Sequence, residues 1–348
     1  MANSAGVAGR DYYAVGRLLW LSSLTLLACS SNGASGANGG AGGTANTPGS
    51  SSMQASGGHA GTAGGARSSM SGAAGSSDRA SSNDAGSSPG NSADAGDGGT
   101  SRHVQVAGRQ LLVDGQAFQI RGVGWNPVPT GGNYPADLDY AGFAPTDIPL
   151  MAAAGINVVR TYDPLLDRSV LDQLYQAGIF VIESIYPYGG DDVGVVTERV
   201  HAIADHPAVL IWAVGNEWNY NGLYVSLSAA DSLARLRQAA QLVKQADPNH
   251  PVATIYGEVP PKTTVDAMPE IDLWGINAYR GLSFGDLFTT WASTSDKPIF
   301  LAEYGADAYN ANIGAYDPDS QALADKDLSS ELLTQSTTQP GGIALGGA

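Results

Sequence analysis

The sequence predicts an eight-stranded parallel α/β barrel, and three observations point to it. From residue 120 onward, short apolar strands alternate with helices, and repeated strand–helix units form parallel sheets covered by helices. The segment 103–348 is close to the roughly 250 residues of a (β/α)8 barrel. No glycine-rich dinucleotide fingerprint follows the first strand of this series, which counts against an open doubly wound sheet. The predicted class is therefore a (β/α)8, or TIM, barrel.

Each predicted element is defined by its hydrophobic pattern and by the glycine or proline that ends it. Apolar runs predict the strands, and longer segments predict the helices, the first of them capped by Thr146 or Asp147. The strands are 120–125, 157–162, 180–185, 209–214, 251–256, 273–279 and 298–302, and the helices are 145–154, 169–177, 195–204, 228–246, 284–292 and 321–335.

The two ends of this series carry further expectations. Asp114-Gly115 lies between two extended runs and predicts a hairpin, which we expect to cap the bottom of the barrel. Residues 341–348 resemble the start of an eighth strand that is cut off, with no eighth helix after it. Either the chain is a truncated product or its last strand is short, and we expect a partly exposed sheet edge.

The first 29 residues resemble an export signal. Arg10 and Arg17 precede a short apolar run, 18–27, which is too short to span a bilayer comfortably. The ending Leu-Leu-Ala-Cys29 resembles a bacterial lipobox, and Cys29 is the only cysteine. We expect 1–29 to be a lipoprotein signal peptide, with lipidation of Cys29 and anchoring to the outer membrane or cell surface. The alternative is an ordinary signal peptide with an incidental cysteine.

Residues 30–102 are predicted to be a disordered linker. From residue 30 to 101 there is no Val, Ile, Leu, Phe, Tyr or Trp, so the segment cannot bury enough apolar surface to offset chain entropy. The remaining part, 103–348, is the predicted folded domain. The formal net charge of −16 argues against nucleic acid as a partner.

Two predicted strands end in a glutamate. The apolar run 209–214 stops at Gly215-Asn216-Glu217-Trp218, and 298–302 is followed by Glu303-Tyr304-Gly305. In parallel barrels, the ends of buried strands hold the catalytic residues. Cleavage of a glycosidic bond by retaining enzymes uses two carboxyl groups roughly 5–5.5 Å apart. Glu217 and Glu303 are the candidates for that pair.

These motifs resemble clan A of the glycoside hydrolases, in particular family 2 catalytic domains and the β-1,3-glucanosyltransferases of family 72. The resemblance covers most of 120–307 and includes Arg121-Gly-Val123, Asn157-Val-Val-Arg160-Thr-Tyr162 and Gly275-Ile-Asn-Ala-Tyr279. It implies that Glu217 is the acid/base and Glu303 the nucleophile. It further implies the following contacts: Asn216 with the sugar 2-hydroxyl, Arg160 and Tyr279 with the nucleophile, and Tyr162 and Asn277 with sugar. The clan often carries a Trp at the end of strand 8, a position beyond Ala348.

Several of these residues also suit a purely structural role. Arg160 fits a structural ion pair, and Tyr279 fits a core position. The four aromatic residues Trp125, Tyr186, Tyr188 and Trp218 follow strands and could stack on sugar rings, although the two tryptophans could simply pack in the core. Glu183 is a rival acid for which a structural or subsite role is favoured.

The sequence therefore predicts a retaining β-glycosidase or transglycosylase. The expected substrate is a neutral oligo- or polysaccharide, with β-glucan as the candidate, and the double displacement needs no cofactor. No metal site is predicted, because the histidines lack metal-ligand spacing. The alternative is a surface lipoprotein that binds carbohydrate without turnover because strand 8 is incomplete.

Overall fold

The computed structural model describes residues 102–348. The predicted signal peptide, Cys29 and nearly all of the predicted linker lie outside the described residues. No helix in the described part is long and apolar enough to cross a membrane. Nor does this part contain a group of three or more His, Cys, Asp or Glu side chains arranged to hold a metal ion.

A small antiparallel sheet precedes the barrel. It contains β1 (Val104–Ala107), β2 (Gln110–Val113) and β3 (Gln116–Ala117). Asp114 and Gly115 both have positive φ, 51° and 79°, as a tight two-residue hairpin turn requires. Leu111 is buried in the same apolar cluster as residues inside the barrel, so the hairpin packs against the barrel interior as predicted.

Eight parallel strands form a closed barrel. In chain order they are β4 (Ile120–Gly124), β5 (Val158–Arg160), β6 (Phe180–Tyr186), β7 (Val209–Val214), β8 (Val252–Gly257), β9 (Leu273–Asn277), β10 (Ile299–Glu303) and β13 (Ala344–Gly347). The fold class is confirmed, and each strand predicted from an apolar run is present within a few residues of its expected bounds.

The eighth strand corrects one expectation. Strand β13 pairs in parallel with β10 on one side and with β4 on the other, so the expected exposed edge is absent. Its backbone lies very close to its neighbour: a Cβ at Gly346 would come within 1.9 Å of the Ile120 carbonyl oxygen, and φ there is +112°. Glycine is required at this position because only a residue without Cβ permits that approach.

Helices cover the outside of the barrel, and short elements follow several strands. The helices are α1 (Tyr140–Ala153), α2 (Arg168–Gln176), α3 (Val195–Ile203), α4 (Trp218–Asn221), α5 (Ala229–Ala246), α6 (Lys262–Asp266), α7 (Leu287–Thr294) and α8 (Pro318–Thr334). The short ribbon of β11 (Tyr309–Asn310) and β12 (Ala315–Tyr316) was not predicted, nor were α4 and α6.

The start of α1 differs from the prediction. The helix begins at Tyr140, and its cap is Asp139, whose carboxylate accepts a hydrogen bond from the Gly142 N–H at 2.8 Å. Pro145, where the predicted helix begins, lies inside the helix instead. Asp147, one of the two predicted caps, instead accepts the indole N–H of Trp125 at 2.9 Å.

Candidate active site

The candidate site lies at the C-terminal ends of the barrel strands. Arg160 ends β5, Asn216 and Glu217 follow β7, Asn277 ends β9, and Glu303 ends β10. Parallel strands bring their carboxyl ends to the same face of the barrel, so residues far apart in the sequence meet there. The structure thus places the two predicted carboxylates at one face.

Arg160 connects the two halves of the site. Its side chain is fully buried, and one terminal nitrogen donates to Glu303 Oε1 at 2.8 Å and to the Ala302 carbonyl at 2.9 Å. The other terminal nitrogen donates to Asn216 Oδ1 at 2.7 Å. A guanidinium presents several donors in one rigid plane, so it can orient both neighbours together.

A tyrosine holds the second oxygen of Glu303. The Tyr279 hydroxyl donates to Glu303 Oε2 at 3.0 Å, while the tyrosine itself is 60% exposed. Each carboxylate oxygen of Glu303 therefore has its own donor, which holds the group in one orientation. Burial and the Glu303 charge both raise the pKa of Tyr279, so the phenol keeps its proton and remains a donor.

Glu217 lies in a different environment. It is half-buried, and burial raises the pKa of its carboxyl, with the Glu303 charge adding to the effect. The nearby Asn277 amide and the charge of Arg160 oppose this increase. A carboxyl with a raised pKa beside a carboxylate held by two donors is the division of roles that acid/base catalysis uses.

The backbone at Glu217 is strained. Its φ and ψ are 47° and 33°, in the left-handed region that is unfavourable for residues other than glycine. Gly215, two residues earlier, also has positive φ, and a Cβ there would come within 2.9 Å of Leu236. The Glu217 N–H donates to the Ile255 carbonyl at 3.1 Å, which fixes this turn against β8. Such strain is typical of functional sites.

Asn216 is the centre of a polar network. Asn277 Nδ2 donates to Asn216 Oδ1 at 3.3 Å, and Asn216 Nδ2 donates to the Tyr224 hydroxyl at 3.3 Å. Oδ1 of Asn277 is buried and has no hydrogen-bond partner in the described part of the chain. Tyr162 lies against the same network, with the Arg160 guanidinium 4.3 Å from its ring centre.

The two predicted tryptophans are placed differently. Trp218 is 3% exposed, its indole N–H donates to Thr254 at 3.0 Å, and its ring packs edge-on against Tyr256. Trp125 is 5% exposed, with its indole N–H on Asp147. Core packing accounts for the contacts of both, so their placement gives no support to sugar stacking.

Two residues at this face carry no signal in the sequence and were not predicted. Tyr224 lies in the turn after α4 with φ of 62°, and no local pattern marks it. Asp163 follows the predicted second strand, where it resembles an ordinary loop residue. Glu183, the rival acid, is fully buried and accepts the Leu165 N–H at 2.6 Å.

Comparison with known proteins agrees with this geometry. Residues 191–330, which carry Glu217 and Glu303, match the family model for the TIM barrel domain of family 2 glycosyl hydrolases. The barrel resembles a family 2 catalytic domain. This confirms the predicted resemblance to clan A, and the family 2 model includes both candidate carboxylates.

Several relatives are proteins named β-glucuronidase. One from Paenibacillus borealis is 22% identical over 67% of this chain and 42% of its own length. One from Rattus norvegicus is 27% identical over 60% of this chain and 34% of its own length. The chain thus spans less than half the length of these family 2-like relatives.

Solved structures share the fold. A β-glucuronidase from Ruminococcus gnavus superimposes with a TM-score of 0.57 at 14% identity, covering 71% of this chain and 45% of its own. A β-galacturonidase from Eisenbergiella tayi superimposes with a TM-score of 0.55 at 19% identity, with the same coverage of both chains. At these identities the likeness concerns the fold alone.

Proposed function

We propose that this protein is a retaining β-glycosidase that acts by double displacement. The observation that carries the proposal is the unequal pair of carboxyl groups: Glu303 is held by Arg160 and Tyr279, whereas burial raises the pKa of Glu217. In the first step, Glu217 donates its proton to the glycosidic oxygen as Glu303 attacks the anomeric carbon, forming a glycosyl ester and releasing the alcohol. In the second step, Glu217 removes a proton from the incoming hydroxyl as the ester breaks.

The second step allows two outcomes. Water as the acceptor gives hydrolysis, and a sugar hydroxyl gives transfer to another chain, as in a glucanosyltransferase. Asn216 is a suitable contact for the 2-hydroxyl of the reacting sugar, because Arg160 and Asn277 already orient its amide. Neither step involves a cofactor.

The proposed substrate is a neutral β-linked polysaccharide such as a β-glucan. Binding a uronate would call for an available cation, usually an arginine. In residues 102–348, Arg160 ends β5 and Arg280 lies just beyond β9. Arg160 is buried against Glu303, and Arg280 is paired with Glu258 and with Asp286 at 2.8 Å. Both guanidinium groups are engaged, so the proposed substrate differs from the one in the relatives' names.

Turnover of defined oligosaccharides tests the proposal. Purified protein, Glu303→Gln and Glu217→Gln would be compared on β-1,3- and β-1,4-linked glucose oligosaccharides and on an aryl β-glucuronide. We expect the parent to cleave the neutral substrates alone, and both variants to lose most of that activity. Glu198→Gln, an exposed change on α3, is the matched control. Equal turnover by parent and Glu303→Gln would overturn the assignment, and preference for the glucuronide would overturn the neutral substrate.

We also propose that the protein is exported and anchored through a lipid on Cys29, with 30–102 as the tether. The support is the pattern of basic residues, apolar run and Leu-Leu-Ala-Cys in the sequence. Metabolic labelling with a radioactive fatty acid in a bacterial host tests this. Label in the parent and none in Cys29→Ser is expected, whereas an unlabelled parent would contradict the proposal.

A further inference from the structure

A carboxylate outside the proposed catalytic pair has an unusual set of partners. Asp163 is half-buried in the loop after β5, and its Oδ2 accepts hydrogen bonds from the hydroxyls of Tyr134 and Tyr188, the latter at 3.1 Å. Its Oδ1 has no hydrogen bond to any described residue, and no basic side chain among those residues is paired with it. A partly buried carboxylate with no direct ion pair is costly, so a site of this kind suggests a function.

Holding the loop does not explain the Asp163 side chain. The backbone of the loop is already fixed, because the Asp163 carbonyl accepts the Tyr140 hydroxyl at 3.2 Å. Asn126 Oδ1 accepts the Tyr162 N–H at 3.0 Å and the Tyr140 hydroxyl at 3.2 Å. The nearby Arg199 is bound to the Ile185 carbonyl and to Asp191. None of these contacts uses Oδ1 of Asp163, so that oxygen can still accept a hydrogen bond.

A continuous series of contacts joins Asp163 to the candidate active site. The Tyr188 hydroxyl reaches Asp163, and the Tyr188 ring meets the Tyr224 ring edge-on with centres 5.4 Å apart. The Tyr224 hydroxyl in turn accepts the amide of Asn216 at 3.3 Å. Aromatic rings with hydroxyl groups suit a pyranose, which has apolar C–H faces and a rim of hydroxyls. Tyr134, 40% exposed, brings its hydroxyl to the same Asp163 oxygen, 3.5 Å from the Tyr188 hydroxyl.

We propose that Tyr134, Asp163 and Tyr188 form a second sugar-binding subsite, and we call these three residues the tyrosine–aspartate subsite. It would hold one neutral sugar unit of a polysaccharide while the neighbouring unit of that polysaccharide lies between Glu217 and Glu303. Oδ1 of Asp163 accepts a sugar hydroxyl, a charge-assisted hydrogen bond, while Tyr188 and Tyr224 pack beside the ring. An unpaired carboxylate repels a uronate, so the subsite selects neutral units. This inference rests on the proposed function for the position of the first unit.

The proposal predicts that affinity increases with substrate length through Asp163. Binding of β-1,3-linked glucose oligosaccharides of increasing length would be measured by calorimetry in the Glu303→Gln protein, with and without Asp163→Ala. A hydrogen bond to a charged group contributes about 1.5–3 kcal/mol, so we expect the longer oligosaccharides to bind roughly 10- to 100-fold more weakly without Asp163. The gain in affinity with length should largely disappear. Asp205→Ala, an exposed carboxylate paired with Arg168, is the control and should keep the gain.

The outcomes separate this subsite from the proposed activity. Turnover by the parent, with the same length dependence in Asp163→Ala, overturns the subsite and leaves the activity standing. Length-dependent binding that requires Asp163, without turnover by the parent, supports the subsite and contradicts the activity. No binding of any oligosaccharide by the parent overturns the subsite. If Asp163→Ala is poorly folded, Asp163→Asn and Tyr188→Phe give the same comparison with smaller expected losses.

Discussion

Glu183 makes the stability of this protein depend on pH in a way that a single substitution can reveal. The carboxyl is fully buried on β6, and burial raises its pKa from an ordinary 4.5 to about 8. The Leu165 N–H bond to Oε1 and the charge of Arg199 oppose this increase, whereas Oε2 has no partner in the described residues. Glu183 is therefore neutral in the folded protein at pH 7.

The sign of the effect follows from the raised pKa. Below about pH 4.5 the carboxyl is protonated in both the folded and the unfolded chain, and its contribution to stability is fully present. As the pH increases towards 8, the unfolded chain loses this proton and the folded protein keeps it, so stability is lost. Each pKa unit corresponds to about 1.4 kcal/mol. The difference between the pKa values of 4.5 and about 8 therefore corresponds to a contribution of roughly 5 kcal/mol to the free energy of unfolding. This contribution is fully lost by about pH 8.

Glu183→Gln removes this titration. The glutamine carbonyl can still accept the hydrogen bond from the Leu165 N–H. The amide N–H donors of the glutamine have no partner, which lowers the free energy of unfolding by about 1–3 kcal/mol at every pH. The informative quantity is the difference in free energy of unfolding between variant and parent. We expect that difference to move in favour of the variant by up to about 1.4 kcal/mol for each pH unit between 5 and 8.

Urea denaturation at pH 5, 6, 7 and 8 measures this difference. Glu198→Gln, on the exposed face of α3, is the control and should follow the parent at each pH. A constant difference between Glu183→Gln and the parent across this range would refute the prediction, because it would mean that Glu183 titrates alike in the folded and unfolded chain.

Three further predictions concern the candidate active site. Tyr279→Phe removes a donor that holds Glu303 Oε2, so kcat/KM on a β-glucan oligosaccharide should fall roughly 10- to 100-fold, which corresponds to about 1.5–3 kcal/mol; an unchanged kcat/KM would contradict a role of Tyr279 in holding Glu303. Arg160→Ala leaves Glu303 without its buried partner and should cost about 3–5 kcal/mol in unfolding free energy; unchanged urea stability would contradict the ion pair. Asn277→Ala removes an amide that lowers the pKa of Glu217, so the basic limb of the kcat profile should move to higher pH; a move to lower pH would count against Glu217 as the acid.

Local patterns in the sequence were enough to predict the barrel. Apolar runs such as 209–214 indicate buried strands. A strand that is covered on both faces has apolar side chains at nearly every position, so the run is visible in the sequence. The glutamates follow from position as well, since Glu217 and Glu303 come directly at the ends of two such runs. Helix boundaries were predicted less accurately. Helix α1 begins at Tyr140 because Asp139 caps it, and the sequence alone does not distinguish this aspartate from Asp147 as the cap.

Contacts that involve several strands at once could not be predicted from the sequence. The double role of Arg160 towards Asn216 and Glu303 requires β5, β7 and β10 in their barrel order. The burial of Trp218 depends on packing against Tyr256, and the closure by β13 depends on pairing with strands at both ends of the domain.

The sequence by itself determined the strands, the fold class and the two carboxylates, because each is encoded in a short stretch of chain. The tertiary structure decided which groups touch those carboxylates, which aromatic rings are exposed, and that Asp163 accepts the hydroxyls of Tyr134 and Tyr188. The physical reason is that hydrophobic periodicity is local, whereas hydrogen-bond partners and desolvation are set by residues distant in sequence that folding brings together.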